Sequence, residues 1–197
     1  DLNADIGETT NLASKHPKIV ARLKAATEKI MSRAAEAPPG IALKVKRLKG
    51  RIPLKAHTLY KPESSPEVVG KTVTISATIK AQNPNGVIIA QGGSLVGYSL
   101  YLRGGRLIFG VRVETKLKEL ASDREVTGKE VKVEARLDKD GTRTLIIDGK
   151  KISTDGPKLH PQPAMGLSTG EDQGPNVGRY QGERFRGTIK DLVLHIR

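Results

Sequence analysis

Apolar and polar residues alternate along residues 71–79, and this alternation begins a β-rich region. The apolar positions are Val73, Ile75, Ala77 and Ile79. A period of two is typical of an antiparallel strand with one buried and one solvated face. Further short segments follow, separated by glycine-rich turns and without helical periodicity between them. The pattern therefore predicts a mainly β chain that folds as an antiparallel β-sandwich.

The clearest hairpin is centred on Gly104-Gly105, a two-residue turn between two apolar segments. Pairing Arg103 with Arg106 across the turn sets the register of its two strands. The apolar pairs are then Leu102 with Leu107, Leu100 with Phe109, and Tyr98 with Val111. A one-residue slip would move this set to the opposite face. Ile108 is the exception, because the same register points its side chain the other way.

Later segments complete the predicted sandwich. Residues 131–137 form one strand, residues 145–147 point apolar side chains inward, and a turn at Asp148-Gly149 leads into residues 151–152. The last strand, at residues 189–196, is expected to pair with an early strand.

Residues 17–36 have the periodicity of a single α-helix. Pro17 suits the first helical position, where its missing N–H removes no hydrogen bond, and the PPG sequence at 38–40 ends the helix. An apolar stripe runs along it, made of Ile19, Val20, Leu23, Ala26, Ile30, Met31 and Ala34. The stripe predicts burial against a neighbour, which is another domain, the sandwich or a second copy of the chain.

The chain thus divides into three predicted segments. Residues 1–38 carry the helix and residues 71–197 form the sandwich. Residues 39–70 join them: 41–49 alternate loosely and predict a basic edge strand, whereas 50–70 contain three prolines and predict a linker or irregular loop.

Two groups of short motifs occur in order along the chain. Residues 1–25 contain GETTNL at 7–12 and a His-Pro helix start at 16–17. The second group lies in residues 71–197 and consists of NGVIIAQGG at 85–93, GYSLYL at 97–102, DGK at 148–150, GED at 170–172 and FRGTI at 185–189. Together they resemble the C-terminal region of bacterial arylsulfatases, in which a concanavalin A-like or laminin G-like accessory domain follows the end of the sulfatase domain.

The resemblance implies a parent protein that hydrolyses sulfuric esters and is exported to the periplasm or beyond the cell. It also implies that the sulfatase catalytic domain of that parent is a partner of this chain. Any signal peptide would belong to the missing front part.

The chemistry of that family is missing from this chain. Sulfatases need a Cys or Ser that is oxidised to formylglycine within a Cys/Ser-x-Pro-x-Arg motif. The chain contains no Cys, and its nearest approach, SSPEV at 64–68, lacks the Arg. The Asp/Asn cluster that would hold calcium beside that nucleophile is missing as well. No strand shows the closely spaced carboxylates that glycoside hydrolysis needs. We therefore expect a chain that is not itself an enzyme.

The formal net charge of +13 favours polyanionic partners. Residues 41–70 hold seven Lys or Arg against two Glu, a local net charge of +5. The candidate anion or glycan contacts are Tyr101, Arg103, Arg106 and Arg112 on the outer face of the hairpin, and Lys44, Lys46 and Arg47 before the sandwich. Guanidinium groups bind sulfate or carboxylate with paired donors. The alternative is a solvated surface, whose lysines discourage pairing between edge strands.

Composition argues against two other classes of partner. Aromatic residues make up 3% of the chain and Trp is absent, so platforms for stacking nucleic-acid bases are few. No stretch approaches the roughly 20 apolar residues that span a bilayer.

Metal and cofactor binding have weak support in the sequence. The four histidines are far apart and show no ligand spacing, and His195 should point outward. The sequence DKDGT at 138–142 begins like a calcium loop but lacks the later Glu, so a turn is expected. Glu171 and Asp172, in a glycine-rich loop, are weak calcium candidates. No cofactor is expected.

Two functions remain open on these grounds. The first is a non-catalytic accessory domain that contacts sulfated polysaccharide by electrostatics. The second is a purely structural or oligomerisation module that packs on the sulfatase catalytic domain, with self-association through the N-terminal helix.

Overall fold

The computed structural model of the chain describes Asp5, Gly7 and residues 9–36, 47–181 and 183–197. The predicted helix end at 38–40, the front of the predicted edge strand and the candidate contacts Lys44 and Lys46 lie outside these residues. The chain forms two compact units, Asp1–Lys44 and Val45–Arg197.

The first unit contains the predicted helix, α1, at Pro17–Glu36. The amides of Ile19 and Val20 donate to the carbonyl of His16 at 3.0 and 3.1 Å, which fixes the first turn around Pro17. Three apolar side chains of its stripe, Ile19, Val20 and Leu23, are 46%, 41% and 57% exposed. No helix among the described residues is long and apolar enough to cross a membrane.

The second unit consists of two antiparallel six-stranded sheets. The strands are β1 (Arg51–Pro53), β2 (Leu59–Tyr60), β3 (Val73–Ala81), β4 (Gly86–Gly92), β5 (Gly97–Arg103), β6 (Arg106–Val113), β7 (Lys116–Glu125), β8 (Glu130–Leu137), β9 (Arg143–Ile147), β10 (Lys150–Thr154), β11 (Leu167–Thr169) and β12 (Gly187–Ile196). Sheet I has the order β1-β12-β3-β8-β9-β10, and sheet II has the order β2-β11-β4-β5-β6-β7. The predicted mainly β sandwich is confirmed.

The predicted register of the central hairpin is confirmed as well. Arg103 pairs with Arg106 across the Gly104-Gly105 turn, and the three predicted apolar pairs lie opposite each other. Both glycines have positive φ, 57° and 77°, which the tight turn requires. The last strand pairs with the early strands β1 and β3, as expected.

The core lies between the two sheets. Its largest fully buried side chains include Tyr98, Phe109, Phe185, Ile75 and Leu100. Burying an apolar side chain of this size contributes about 1.5–3 kcal/mol. A second, smaller cluster lies on the outer face of sheet II and consists of Val87, Ala90, Tyr101, Ile108 and Tyr180. Ile108 therefore points away from the main core, as the register predicts.

Residues 50–70 differ from the predicted linker or irregular loop, because they supply one short edge strand to each sheet. In β1, Ile52 pairs with Leu194 of β12 and is 8% exposed. In β2, Tyr60 pairs with Leu167 of β11. The prolines of this stretch do not prevent such pairing, since an edge strand tolerates a missing N–H. Residues 47–49, at the end of the predicted basic edge strand, are not in a strand.

Candidate anion-binding surface

The guanidinium of Arg103, a predicted anion contact, is bound to a carboxylate of the protein itself. Its two terminal nitrogens donate to the two carboxylate oxygens of Glu119 at 2.9 and 3.2 Å. The hydroxyl of Tyr101 also donates to Glu119 and accepts from Arg103 at 3.2 Å. Burial alone would raise the pKa of Glu119, but the bonds from Arg103 and Tyr101 lower it below its usual value. The Glu119 carboxylate thus stays ionised and binds the guanidinium of Arg103.

The other two hairpin arginines bind backbone carbonyls. Arg112 donates to the carbonyls of Val177 and Thr115, both at 2.7 Å, and Arg106 donates to the carbonyl of Ser122 at 3.0 Å. These contacts connect neighbouring loops and strands. Anion binding at the hairpin stays a prediction, and the structure gives all three arginines internal acceptors.

The segment after β11 covers the outer face of sheet II beside this hairpin. The rings of Tyr180 and Tyr101 meet edge to face, 4.7 Å between centroids at 66°. The Tyr180 hydroxyl donates to the carboxylate of Asp172 at 2.6 Å. Burial raises the pKa of Asp172 and that of Tyr180. Asp172, a weak calcium candidate, therefore bonds to another point of the same segment and helps to position the ring of Tyr180 against Tyr101 of the sheet.

The two weak calcium candidates, Glu171 and Asp172, both make hydrogen bonds within the protein. Glu171, the other calcium candidate, accepts a hydrogen bond from Gln173 at 2.8 Å. Across the described ranges, no group of three or more His, Asp or Glu side chains is placed to hold a metal ion.

A pocket of about 160 Å³ at one end of the sandwich brings four cationic side chains together. We call it the Arg197 pocket. Its charged residues are Arg47, Lys49, Lys71, Arg197 and Glu67. Arg47 and Glu67 form a 3.5 Å ion pair in which both side chains are largely exposed. The other three cations have no carboxylate partner among the described residues. One of the predicted contacts, Arg47, thus belongs to a basic pocket.

A second pocket of about 160 Å³ shares Lys71 with the first. We call it the Lys158 pocket. Lys71, Lys139 and Lys158 line it together with His160 and Asp138. The carboxylate of Asp138 is already bound by Arg136 at 2.6 Å. This pocket is therefore also net positive, and Lys71 contributes to both.

The segment between the two pockets, residues 67–71, is fixed to the sandwich. The side-chain oxygen of Gln162 accepts from the amides of Val68 and Val69 at 2.9 and 3.4 Å. The side chain of Val68 is 1% exposed. Next to Lys71, Thr72 and Arg197 exchange two backbone hydrogen bonds of 2.9 and 3.0 Å. The pockets are therefore built on ordered backbone, although their lysine side chains reach into solvent.

Sheet I has a larger open groove of about 360 Å³ on its outer face. Arg51 and Lys132 supply positive charge to it, and Glu134 and Asp191 supply negative charge. Because these charges balance, the groove offers an anion no net attraction. The two pockets around Lys71 are the stronger candidate site.

Sequence reasoning missed most of this site. Lys71, Lys139, Lys158 and Arg197 come from four separate stretches, and no local motif joins them. One signal was present: the expected return of the last strand to an early one places Arg197 close to Thr72. The positions of the 139 and 158 lysines depend on long-range packing.

The chain was compared with known proteins at the level of sequence and of structure. No protein-family model and no curated protein matches its sequence. In structure it is similar to domains LG4-5 of the mouse laminin α1 chain, with a TM-score of 0.53 at 16% identity. The match covers 77% of this chain and 40% of the laminin chain. The chain has a laminin G-like fold.

Two further similar structures are more distant. The LG1-3 region of the laminin α2 chain gives a TM-score of 0.48 at 19% identity, covering 75% of this chain and 25% of that one. The receptor-binding domain of botulinum neurotoxin type G gives 0.45 at 15% identity, covering 64% and 34%. This chain thus spans less than half of the matched laminin and neurotoxin chains. At such identities the laminin G-like likeness concerns the fold alone.

Proposed function

We propose that this chain is a non-catalytic accessory domain that binds a sulfated polysaccharide by electrostatic contact. The observation that carries the proposal is the pair of net-positive pockets that share Lys71. Ammonium and guanidinium groups form charge-assisted hydrogen bonds with sulfate oxygens. A chain with only 3% aromatic residues and no Trp has little means to grip a neutral sugar by stacking.

The proposal assigns no hydrolytic step to the chain. Its sequence contains no Cys, and SSPEV at 64–68 does not complete a formylglycine motif. In the structure, Ser65 is 2% exposed and its hydroxyl accepts from the amide of Leu167 at 3.0 Å. This serine serves the packing of β11 and is closed to a substrate.

The wider setting that we propose is a sulfatase. The motifs at 7–12 and 16–17 support it, because they resemble the end of a sulfatase domain. An exported parent protein whose catalytic domain removes sulfate would gain from a domain that holds the sulfated chain nearby. Reading the DNA upstream tests this setting: an adjoining frame with the formylglycine signature supports it, and an unrelated upstream frame contradicts it.

Retention on an immobilised sulfated polysaccharide tests the binding function. We expect the chain to bind at low salt and to elute as salt rises, since screening shortens the reach of exposed charges from about 10 Å at 0.1 M to about 3 Å at 1 M. The double variant Lys71→Ala/Arg197→Ala should elute at clearly lower salt. A matched control, Lys116→Ala/Lys129→Ala, removes the same charge from exposed positions outside both pockets.

Two outcomes would contradict the binding function. One is a wild-type chain that flows through at low salt. The other is an equal decrease in the eluting salt concentration of both double variants, which would show that binding depends on net charge alone and not on a particular site.

A structural module is the second candidate, and the exposed stripe of α1 favours it. Ile19, Val20 and Leu23 are exposed apolar side chains that suit a protein neighbour, either the sulfatase domain or another copy of the helix. Sedimentation analysis separates the possibilities: a dimer that Ile19→Ser/Leu23→Ser converts to monomer supports self-association. A wild-type monomer contradicts self-association.

A further inference from the structure

We propose that the two basic pockets act as one bidentate site for a linear polyanion, with a single ligand chain crossing Lys71 and placing one anionic group in each pocket. This inference rests on the proposed function and specifies its ligand class. The ligand would be an unbranched chain with repeated anionic groups, in contrast to a lone sulfate or a singly charged sugar.

The first argument is the continuity of the surface. Lys71 lines both pockets, and residues 67–71 are the only segment that contributes to both among the described residues. The side chain of Lys71 is only partly exposed, and it has no carboxylate partner in the described part of the chain. An ammonium group between two anion pockets lowers the repulsion between two bound anionic groups.

The second argument is rigidity. Gln162 holds the amides of Val68 and Val69 at 2.9 and 3.4 Å, and its side-chain nitrogen donates to the carbonyl of Pro66 at 2.9 Å. On the other side, Thr72 donates through its hydroxyl to Asp138 at 3.2 Å. The spacing of the pockets is thus set before a ligand arrives, and a preorganised pair of sites loses little entropy on binding.

The third argument is the charge of each pocket by itself. The Arg197 pocket has Lys49 and Arg197 without carboxylate partners, and the Lys158 pocket has Lys139 in the same state among the described residues. Lys158 is exposed and lies close enough to Asp140 to help lower that carboxyl's pKa. An exposed cation attracts a single anion weakly, so useful affinity requires two pockets that act on one ligand.

Titration calorimetry with two ligands tests the inference. One ligand is a size-defined, long sulfated oligosaccharide of the heparin class, and the other is a monosulfated monosaccharide. We expect one long chain per protein, bound on the order of tenfold or more tighter than the monosaccharide, because the second contact becomes intramolecular. Two chains per protein, or equal affinity for both ligands, would overturn the bidentate site.

Variants that empty one pocket sharpen the test. Lys49→Ala/Arg197→Ala removes one pocket, and Lys139→Ala/Lys158→Ala removes the other; all four side chains are exposed. If one chain bridges both pockets, each variant should lower the affinity for the long ligand to about that for the monosaccharide, at unchanged stoichiometry. If the pockets act separately, each variant will leave the remaining affinity unchanged and halve the number of chains bound.

The remaining outcomes distinguish a failure of the bidentate site from a failure of the proposed function. A loss confined to one of the two variants overturns the bridging and leaves a single anion pocket. Absence of binding by the wild type to either ligand at low salt instead refutes the proposed function. Unchanged thermal unfolding of both variants, with Lys116→Ala/Lys129→Ala as the reference, shows that a loss of affinity is not a loss of fold.

Discussion

The hydroxyl of Tyr180 lies 2.6 Å from the carboxylate of Asp172, and both residues are buried within the segment that covers sheet II. The same hydroxyl accepts from the amide of Val177 at 3.2 Å. The two bonds therefore join three points of the covering segment and keep the ring of Tyr180 against Tyr101.

Replacing Tyr180 by Phe should destabilise the chain by about 1–3 kcal/mol, the cost of leaving a buried acceptor without its donor. Chemical denaturation monitored by circular dichroism measures this change in the free energy of unfolding. The control is Tyr60→Phe, which removes a partly exposed hydroxyl bonded to the amide of Lys55 and should cost less. Equal losses for the two variants would contradict a special role for the Asp172 contact.

The ionisation of Asp172 should contribute to the pH dependence of the free energy of unfolding. Burial raises its folded-state pKa above the ordinary value of 3.8, so the folded state holds this proton more tightly than the unfolded state. Stability from this group is present below pH 3.8 and is lost as pH rises through the folded pKa. Asp172→Asn does not ionise. The stability of the wild type relative to this variant should therefore fall with rising pH, and a rise would be contrary to the burial argument.

Glu119 should produce the opposite trend. The bonds from Arg103 and Tyr101 lower its folded-state pKa, so its contribution is present above the unfolded value of about 4.5 and is lost as pH falls through the folded pKa. Glu119→Gln should cost about 1.5–3 kcal/mol at neutral pH, the range for hydrogen bonds to charged groups. Unfolding curves between pH 3 and 7 measure the difference, which should shrink towards the acid end.

Arg143 is a buried cation whose hydrogen bonding is incomplete. It is 2% exposed and donates to the carbonyl of Asp155 at 2.6 Å, while its Nε and Nη1 find no acceptor among the described residues. Arg143→Met should therefore leave stability unchanged or raise it by up to about 2 kcal/mol. A loss of more than about 2 kcal/mol in the free energy of unfolding would show that the Arg143 guanidinium makes stabilising contacts that outweigh the cost of burying it.

Gly156 offers a companion test at the same place. A Cβ there would lie 2.4 Å from Nη2 of Arg143. Gly156→Ala should destabilise the chain, and combining it with Arg143→Met should recover part of that loss because the crowded atom is gone. Thermal unfolding of both single variants and the double variant gives the coupling. Additive effects would argue against this contact.

Gly187 should tolerate no side chain at the start of β12. Its φ is 134°, and a Cβ would lie 2.0 Å from the carbonyl oxygen of Lys80. The control is Gly149, which also has positive φ, 86°, but has no atom within 4 Å of the added carbon. Gly149→Ala should cost about 1–2 kcal/mol for the backbone alone, and Gly187→Ala should cost at least about 2 kcal/mol more through the clash. Comparable melting temperatures for the two variants would exclude the clash.

Much of the sandwich could be predicted from the sequence because many of its strands carry a local signal of their own. Alternation at 73–79 and the Gly104-Gly105 turn are decided within a few residues, and the structure has both as predicted. The short strands at 51–53 and 59–60 have no such signal. They exist because Ile52 and Tyr60 find partners on β12 and β11, more than a hundred residues away.

The candidate site shows the same limit more strongly. The arginines at 103, 106 and 112 are near in sequence and share the hairpin, but the sequence gives no sign that Glu119 and loop carbonyls occupy them. The lysines at 71, 139 and 158 are separate in sequence and become neighbours only when the loops meet at one end of the fold. Charge counts indicated a polyanion, and packing decides where it would bind.

The backbone exchange between Thr72 and Arg197 has a practical consequence for every assay above. Because it places the backbone of residue 197 beside the pocket that this residue lines, a purification tag fused directly behind this arginine would emerge close to the proposed ligand. A polyhistidine tail there would add its own cations and mimic or mask retention. Tags belong at the front of the chain, with a cleavage site, before any affinity is compared.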